Sequence, residues 1–264
     1  MFDSHAHLND DKFAADRPAV LARARAADVH GCVVVGYDFP SSQAALKLAE
    51  QEPDLWCAVG VHPHDAADVT PALLDNLREL ARHERVVAIG ESGLDYYRNL
   101  SPPPVQREVF AQFIHLAREL ARPLIVHCRA QTHSVCAQED CLQVLDEHRE
   151  AGQTVIMHCF AGGLEFATEC LQRGFVLGLA GTITYPKASA LREVAAEAPL
   201  AQLLIETDCP WLPPQQYRGQ RNEPAYVRHV AEVVARERGL DVEKVAARTE
   251  ENARRAFGLT GDMP

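Results

Sequence analysis

The residues best suited to chemistry are histidines and carboxylates that end short apolar runs. Two histidines stand close to the N-terminus and four further residues are scattered along the chain: His5, His7, Glu91, His127, His158 and Asp208. Imidazole nitrogens and carboxylate oxygens are common ligands of divalent metals. Burial alone does not explain why these six residues end five separate apolar runs. The pattern therefore predicts a metal centre.

Eight apolar runs predict β-strands, at 2–8, 31–37, 55–62, 86–94, 123–129, 154–160, 175–181 and 203–208. Helical spacing occurs between them, at 17–29, 41–52, 71–84, 105–121, 139–150, 164–173 and 186–198, and again after the last strand, at 223–238 and 242–257. Strict alternation predicts parallel strands with right-handed crossovers, and eight such units close into a barrel. The predicted fold is α/β, a (β/α)8 TIM barrel that forms a single domain over residues 1–264. An open doubly wound sheet is the alternative, but no glycine-rich phosphate loop follows the first strand.

A parallel barrel brings the carboxyl ends of its strands to one rim, where all six candidate ligands would meet. Alternation along the first strand predicts that Asp3, His5 and His7 share a face. The same rule turns Glu206 and Asp208 inward, so that Asp208 reaches an ion while Glu206 orients a ligating histidine. Asp3 is assigned a similar supporting role. Alternation also turns Cys128, Cys159 and Cys209 away from the site, into the surrounding core.

The ligands divide into two sets if Glu91 bridges a pair of ions through its two carboxylate oxygens. His5, His7, Glu91 and Asp208 would hold one ion. Glu91, His127 and His158 would hold the other and leave coordination positions for water and substrate. Such a centre predicts a metal-dependent hydrolase.

The bulk composition narrows the function further. A formal net charge of −11 argues against a broad basic surface that wraps duplex DNA or docks on an anionic membrane. Eight cysteines without a CxxC pair indicate free thiols in a reducing compartment. No apolar run is long enough to span a membrane. We therefore expect a cytoplasmic protein, and no feature calls for an obligate protein partner.

Seven ordered motifs span nearly the whole chain: DSHAHL (3–8), GVHPH (60–64), IGESGLDYY (89–97), HCR (127–129), HCFAG (158–162), ETDCPWL (206–212) and RGQRNEP (218–224). With them the chain resembles the TatD-type deoxyribonuclease family of the amidohydrolase superfamily. The resemblance implies hydrolysis of DNA phosphodiesters, generally as a 3′→5′ exonuclease, with Mg²⁺ or Mn²⁺ and a role in DNA repair or degradation. One departure is that residues 130–140, which include His133 and Cys136, look longer than the family pattern. We interpret them as a surface insertion that could still reshape substrate access.

Two neighbouring divalent ions suit in-line displacement at phosphorus. Asp208 is the predicted general base, and Glu91, His62 and His64 complete the predicted catalytic set, in which His62 and His64 contact phosphate or protonate the leaving oxygen. Residues on the rim are predicted to bind the substrate by stacking or by pairing with phosphate: Tyr96, Tyr97, Arg98, Arg129, Arg218 and Arg221. Histidine-rich ligation also suits Zn²⁺, Mn²⁺ or Fe²⁺, so the metal is left open between these and Mg²⁺.

Two other functions fit the same residues. One is hydrolysis of a small amide or ester, or of the aminoacyl ester on tRNA, because one barrel supports many such reactions. The other is a metal-binding protein without catalysis. The acidic charge favours a substrate with few phosphate contacts, so single-stranded DNA ends are the expected partner.

Overall fold

The computed structural model describes residues 1–131 and 136–259. In these ranges eight strands form one parallel sheet in which each strand pairs with the next. They are β1 (Phe2–Ala6), β2 (Gly31–Val35), β3 (Leu55–Val59), β4 (Val86–Asp95), β5 (Leu124–Arg129), β6 (Val155–Met157), β7 (Val176–Leu179) and β8 (Leu203–Ile205). The predicted TIM barrel is confirmed.

The helices cover the outside of the sheet. In the described ranges they are α1 (Arg17–Ala26), α2 (Phe39–Gln51), α3 (Pro71–Leu80), α4 (Pro103–Glu119), α5 (Cys136–His148), α6 (Leu164–Gln172), α7 (Ser189–Glu197), α8 (Val227–Arg238) and α9 (Val242–Ala256). Local sequence sets several of their starts: Asp38 and Ser41 form a capping box on α2, and Thr70 caps α3. None of the helices within 1–131 and 136–259 is long and apolar enough to cross a membrane.

Apolar side chains fill the barrel below its rim. This inner cluster contains Phe2, Val33, Val35, Ala58, Val87, Ala88, Ile125, Ile156 and Leu204. A larger cluster packs the outer face of the sheet against the helices. The inner cluster forms an apolar floor, and the polar groups at the carboxyl ends of the strands lie above it.

The first strand departs from the alternation expected from sequence. Asp3 pairs with Cys32 and Ala6 with Val34, so three steps along β1 match two along β2 and one extra residue is accommodated. Ser4 reaches inward to the Glu206 carboxylate at 3.0 Å, while Asp3 lies outside with its Oδ2 2.6 Å from Thr207 Oγ1. The prediction that Asp3 shares the face of His5 and His7 is therefore wrong, because the bulge reverses the order of faces between them.

Hydrogen bonds close the barrel at the seam, where β8 meets β1. The N–H of Asp208 donates to the carbonyl of His5 at 2.9 Å, and the N–H of His7 donates to the carbonyl of Cys209 at 2.7 Å. Asp3 adds to this closure, because its Oδ1 accepts the N–H of Thr207 at 2.9 Å. The seam thus brings the first and last strands together at the predicted ligands.

Three of the predicted ligands, His7, His158 and Asp208, lie just beyond strands and not on them. β6 ends at Met157 and β8 at Ile205, earlier than the sequence pattern indicated. The backbone takes positive φ at Cys159 (43°) and Asp208 (55°), a conformation that few non-glycine residues adopt. His158 and Asp208 are therefore presented by short, sharply turned segments at the rim.

Candidate metal centre

The first group of ligands lies at the seam. His5 Nε2 is 3.1 Å from His7 Nε2 and 3.4 Å from Glu91 Oε2, and His7 Nε2 is 3.4 Å from Asp208 Oδ1. Ligand atoms about 2.1 Å from one ion stand roughly 3.0–3.4 Å apart at octahedral or tetrahedral angles. The donor atoms of this group have the separations that a shared ion requires.

The second group forms on the other oxygen of Glu91. Glu91 Oε1 lies 2.7 Å from His127 Nδ1 and 3.4 Å from His158 Nε2. Glu91, His127 and His158 all place a ligand atom within 4.8 Å of the other two, as do His5, His7 and Asp208. Glu91 therefore turns one oxygen to each group, as a bridging carboxylate does.

Glycines allow the backbone to carry Glu91 to this position. A Cβ at Gly60 would lie 2.6 Å from Gly90 Cα, and a Cβ at Gly90 would lie 2.5 Å from the carbonyl oxygen of Ile125. Gly90 also has a φ of +126°, which side-chain-bearing residues rarely adopt. The close approach of the backbones at Gly60, Gly90 and Ile125 fixes the position at which Glu91 enters the centre.

Glu206 stands behind His158, where sequence reasoning placed an orienting carboxylate. Its Oε1 accepts from His158 Nδ1 at 2.8 Å and from the N–H of Cys159 at 2.6 Å, while its Oε2 accepts from Ser4 Oγ at 3.0 Å. Because Nδ1 of His158 carries the proton, its Nε2 is left to bind a metal.

Asp95 contacts His64 and His127 beside the second group, and this role was not predicted from the sequence. Its Oδ2 lies 3.0 Å from His64 Nε2 and 3.1 Å from His127 Nε2, and its Oδ1 accepts the N–H of Arg98 at 2.7 Å. Gln106 fixes the backbone of Asp95 by donating to it and accepting from it. The signal was its position at the carboxyl end of β4, four residues after Glu91.

His62 is a hydrogen-bond donor facing the second group. Its Nδ1 accepts the N–H of His64 at 3.1 Å, so the ring proton is on Nε2, which lies 3.7 Å from Glu91 Oε1. Burial and the neighbouring His127 hold the pKa of His62 well below its usual range. His62 is therefore neutral at pH 7 and suited to donating a hydrogen bond, not to supplying a proton.

The buried carboxylates give the pocket an excess of negative charge. Burial alone would lower the pKa of His158, but the charges of Glu91 and Glu206 raise it to about 10. Burial is likewise outweighed at His127, where hydrogen bonds with Asp95 and Glu91 raise the pKa to about 9. Histidines that attract protons this strongly attract metal cations for the same reason, and metal binding releases those protons. The donor atoms and the charge both fit divalent metal.

Asp208 is buried beside both histidine groups. Burial opposes its ionisation, yet the hydrogen bond with His7 and the charge of His158 hold the pKa of Asp208 below its usual range. Its Oδ1 is also 4.0 Å from His158 Nε2. Asp208 is therefore a carboxylate at neutral pH that lies within reach of both groups.

Cys159 corrects a second prediction from strand alternation. Its sulfur lies within 4.8 Å of ligand atoms of both His158 and Asp208, so it faces the centre and not the outer core. The positive φ at Cys159 explains the difference, because strict alternation ends where β6 ends. Burial, with the neighbouring Asp208 charge, raises the pKa of this thiol well above its usual value, so it stays protonated. Cys128 and Cys209 do pack in the outer cluster.

The predicted substrate residues fall into two classes. The Tyr96 ring is buried and its hydroxyl donates to Asp140 at 2.7 Å, which argues against the predicted stacking role. The Arg221 guanidinium is paired with Asp16 at 2.7 and 2.8 Å, which argues against phosphate binding. The remaining four are exposed at the rim: Tyr97, Arg98, Arg129 and Arg218. The Arg129 guanidinium lies 4.1 Å from the centre of the Tyr97 ring, and the Arg218 guanidinium lies 4.5 Å from the centre of the Tyr185 ring.

The segment with the unusual length is only partly described. Cys136 begins α5 and is exposed, and Cys141 is buried in that helix. His133 lies outside the described residues.

Comparison with known proteins places this centre in a family. The model of TatD-related DNases matches residues 2–258. The chain belongs to the TatD-related DNase family. The TatD protein of Salmonella typhimurium, a 3′-5′ ssDNA/RNA exonuclease, is 40% identical over 262 residues, which is 97% of this chain and 98% of that one. The metal-dependent hydrolase YabD of Bacillus subtilis, described as uncharacterized, is 44% identical over 259 residues, 98% of this chain and 99% of that one.

Solved structures agree with the TatD assignment. The crystal structure of YjjV, a TatD homologue from Escherichia coli K12, superposes with a TM-score of 0.91 at 30% identity and covers 98% of each chain. A TatD-family hydrolase from Entamoeba histolytica shares the fold, with a TM-score of 0.88 at 23% identity and 98% coverage of each chain. The protein is accordingly a metal-dependent hydrolase of the TatD family, with histidine and carboxylate clusters able to bind metal.

Proposed function

We propose that the protein is a 3′→5′ exonuclease that uses two divalent metal ions to hydrolyse single-stranded DNA ends. The observation that carries the proposal is the Glu91 carboxylate, which faces His5 with Oε2 and His127 with Oε1. A paired centre of this kind suits phosphodiester hydrolysis. The similarity to the Salmonella typhimurium 3′-5′ ssDNA/RNA exonuclease supports the same substrate class. Removal of damaged or unwanted DNA is the cellular role that we propose.

His5, His7 and Asp208 would hold one ion, and His127 and His158 would hold the other. Glu91 would contribute one oxygen to each ion. When bound, such ions lower the pKa of water and neutralise charge on the phosphate. The metals that we propose are Mg²⁺ or Mn²⁺, and the many imidazole nitrogens keep Zn²⁺ as an alternative.

The residues of the chain supply proton transfer and orientation. Asp208 is ionised and lies at the first group, so it accepts the proton of the attacking water. His62, with its proton on Nε2, donates a hydrogen bond to a phosphate oxygen. Asp95 fixes the ring of His64 and the ring of His127, so that both keep one orientation during turnover. Leaving-group protonation falls to water or to His64.

The rim favours a single strand over a duplex. Tyr97 is half exposed and Arg129 lies over its ring, a pairing that can stack a base and bind a phosphate. The protein carries 26 Lys and Arg against 37 Asp and Glu, so few cations are available to neutralise a long duplex. A strand end with unstacked bases reaches the recessed centre with few phosphate contacts.

Digestion of 5′-labelled oligonucleotides tests the proposal. With Mg²⁺ or Mn²⁺ we expect a ladder of progressively shorter labelled products from single strands, slower digestion of blunt duplex, and no products with chelator. A p-nitrophenyl ester, assayed in parallel, tests the small-ester alternative. Equal rates on both DNA forms, or immediate release of the labelled 5′ nucleotide, would overturn the substrate and the polarity. Esterase activity without DNA cleavage would overturn the nuclease proposal itself.

A further inference from the structure

Exposed aromatic side chains stand on opposite sides of the barrel mouth, the end at which the strands finish. In residues 1–131 and 136–259 the large hydrophobic side chains that are exposed are Tyr97 (50%), Leu100 (68%) and Trp211 (39%). Tyr97 and Leu100 follow β4, whereas Trp211 follows β8. Strands four positions apart face each other across an eight-stranded barrel. The ligand cluster therefore lies between two sides of the mouth, which we call the Tyr97 wall and the Trp211 wall.

Trp211 is next to the first ligand group. Its ring centroid is 5.0 Å from that of His7, with the two planes at 74°. The ammonium of the exposed Lys12 lies 4.9 Å above the Trp211 ring. A cation above an exposed aromatic ring thus occurs on both walls, as Lys12 over Trp211 and as Arg129 over Tyr97.

Side-chain hydrogen bonds brace the wall that carries Trp211. Asn222 Nδ2 donates to the carbonyl of Trp211 at 2.7 Å and to that of Thr207 at 2.8 Å. Arg221 donates to the carbonyl of Lys12 at 2.6 Å while it pairs with Asp16. The chain segments that carry the indole and the ammonium are thus tied together, which gives Arg221 a structural role.

We propose that Trp211 and Lys12 form a binding site for the 3′-terminal nucleotide, an inference that rests on the proposed exonuclease function. The indole stacks on the terminal base, and the Lys12 ammonium leaves the ring to pair with a phosphate. The exchange is favourable because a cation over an exposed ring is held weakly, whereas base stacking on an aromatic ring is a strong contact of single-strand binding proteins.

Each of the two walls binds one of the two bases that flank the scissile bond. The terminal base stacks on Trp211, because the hydrogen bonds of Asn222 hold this segment in place and because the segment borders the mouth at the seam. The preceding base lies on Tyr97, where 50% exposure of Tyr97 and 68% of Leu100 leave room for the rest of the strand. Bases held on opposite walls cannot remain stacked or paired, so the substrate must be single-stranded at its end.

Abasic substrates test this site in the metal-loaded enzyme. We compare kcat/KM on a single strand with a normal 3′-terminal nucleotide and on one whose terminal nucleotide lacks its base. The wild type should lose on the order of tenfold with the abasic end, from the typical strength of one base stack. Trp211→Ala should treat the two substrates alike, and Trp211→Phe should restore part of the preference. Leu100→Ala, at an exposed apolar position on the Tyr97 side of the mouth, is the matched control and should keep the full penalty for an abasic 3′-terminal nucleotide.

A second comparison separates the two walls and the cation. Tyr97→Ala should abolish the penalty for an abasic penultimate nucleotide while it keeps the terminal penalty. Lys12→Ala should raise KM and reduce the salt dependence of binding by about one phosphate contact. Binding is also followed by quenching of 2-aminopurine at the 3′ end, which should be lost in Trp211→Ala.

These measurements distinguish failure of the exonuclease function from failure of the nucleotide site. If wild type cleaves no oligonucleotide, the exonuclease function is refuted, and the nucleotide site with it. If wild type digests single strands but Trp211→Ala keeps the full terminal penalty and the full quenching, the nucleotide site is refuted while the exonuclease function stands.

Discussion

Replacement of Glu206 by glutamine tests how much of the metal affinity depends on the orientation of His158. Glu206 is fully buried and accepts from His158, from the N–H of Cys159 and from Ser4. Glutamine has the same shape, so its oxygen can keep the first two hydrogen bonds while its amide donates to Ser4 Oγ. What is lost is the charge that raises the pKa of His158 and makes its Nε2 a stronger ligand.

Loss of such a partner typically weakens metal affinity or activity about 10–100-fold, which corresponds to about 1.4–2.8 kcal/mol. We expect Glu206→Gln to fall in this range at the ion held by His158, with little change at the ion held by His7. Calorimetric titration with Mn²⁺ of protein freed of metal measures both affinities. Circular dichroism verifies that the fold is kept.

A glycine substitution perturbs the same carboxylate without changing its charge. A Cβ at Gly178 would lie 2.4 Å from Glu206 Oε2, so Gly178→Ala must displace the side chain. Gly163→Ala is the matched control, because its Cβ would meet nothing within 4 Å. If Mn²⁺ affinity in Glu206→Gln and Gly178→Ala stays within about twofold of wild type, the link from Glu206 through His158 to the metal is refuted.

Three further predictions follow from the same geometry. Asp208→Asn should keep at least one ion but lose turnover on the order of 10²–10⁴-fold, because the proton acceptor is gone; activity within about tenfold of wild type contradicts that role. Glu91→Gln should weaken both ions, whereas His158→Ala should mainly remove one; anomalous scattering counts the ions, and loss of a single ion in Glu91→Gln argues against the bridge. Burial raises the pKa of Asp3 to about 7, so between about pH 4 and 7 the folded protein holds a proton that the unfolded chain has released. The free energy of unfolding of the metal-free wild type should therefore fall relative to Asp3→Asn by about 1.4 kcal/mol per pH unit as the pH rises, and urea titrations that give a constant difference refute the assignment.

The strand pattern predicted the barrel because most strand residues are buried and apolar. Continuous apolar runs between helical segments leave few alternatives to a parallel sheet, and the carboxyl ends of such strands must meet. For that reason His5, Glu91, His127 and Asp208 could be expected at one rim from a sequence in which they lie up to 203 positions apart. Position at the end of a strand was the informative feature.

Side-chain direction was less predictable near the rim. Strict alternation placed His127 in the pocket on β5, where residues 126–129 pair in step with residues 92–95 of β4. It failed at Asp3, where the bulge in β1 adds a residue, and at Cys159, where the chain has left β6 with a positive φ. Bulges and left-handed residues depend on how neighbouring strands fit, which a single sequence does not display.

Partner choice among surface residues was the hardest to predict. Arg221 and Arg129 look alike in the sequence, yet one is tied to Asp16 and the other lies over an exposed ring. Asp16 and Arg221 are 205 positions apart, so only the closed barrel shows that they meet. Tyr96 and Tyr97 differ in the same way, because consecutive residues point to opposite sides and only Tyr97 reaches solvent.

The seam connects the fold to the chemistry. His5 lies on β1 and His7 directly after it, while Asp208 follows β8, and the backbone hydrogen bonds that close the barrel join His5 to Asp208 and His7 to Cys209. The first ligand group is complete only when the segments at β1 and β8 meet, so the centre forms only in the closed barrel. Conversely, an ion held by His7 and Asp208 binds the closed form and not the unfolded chain, and it must stabilise closure by mass action. The hydrolytic centre therefore completes the seam as well as the active site.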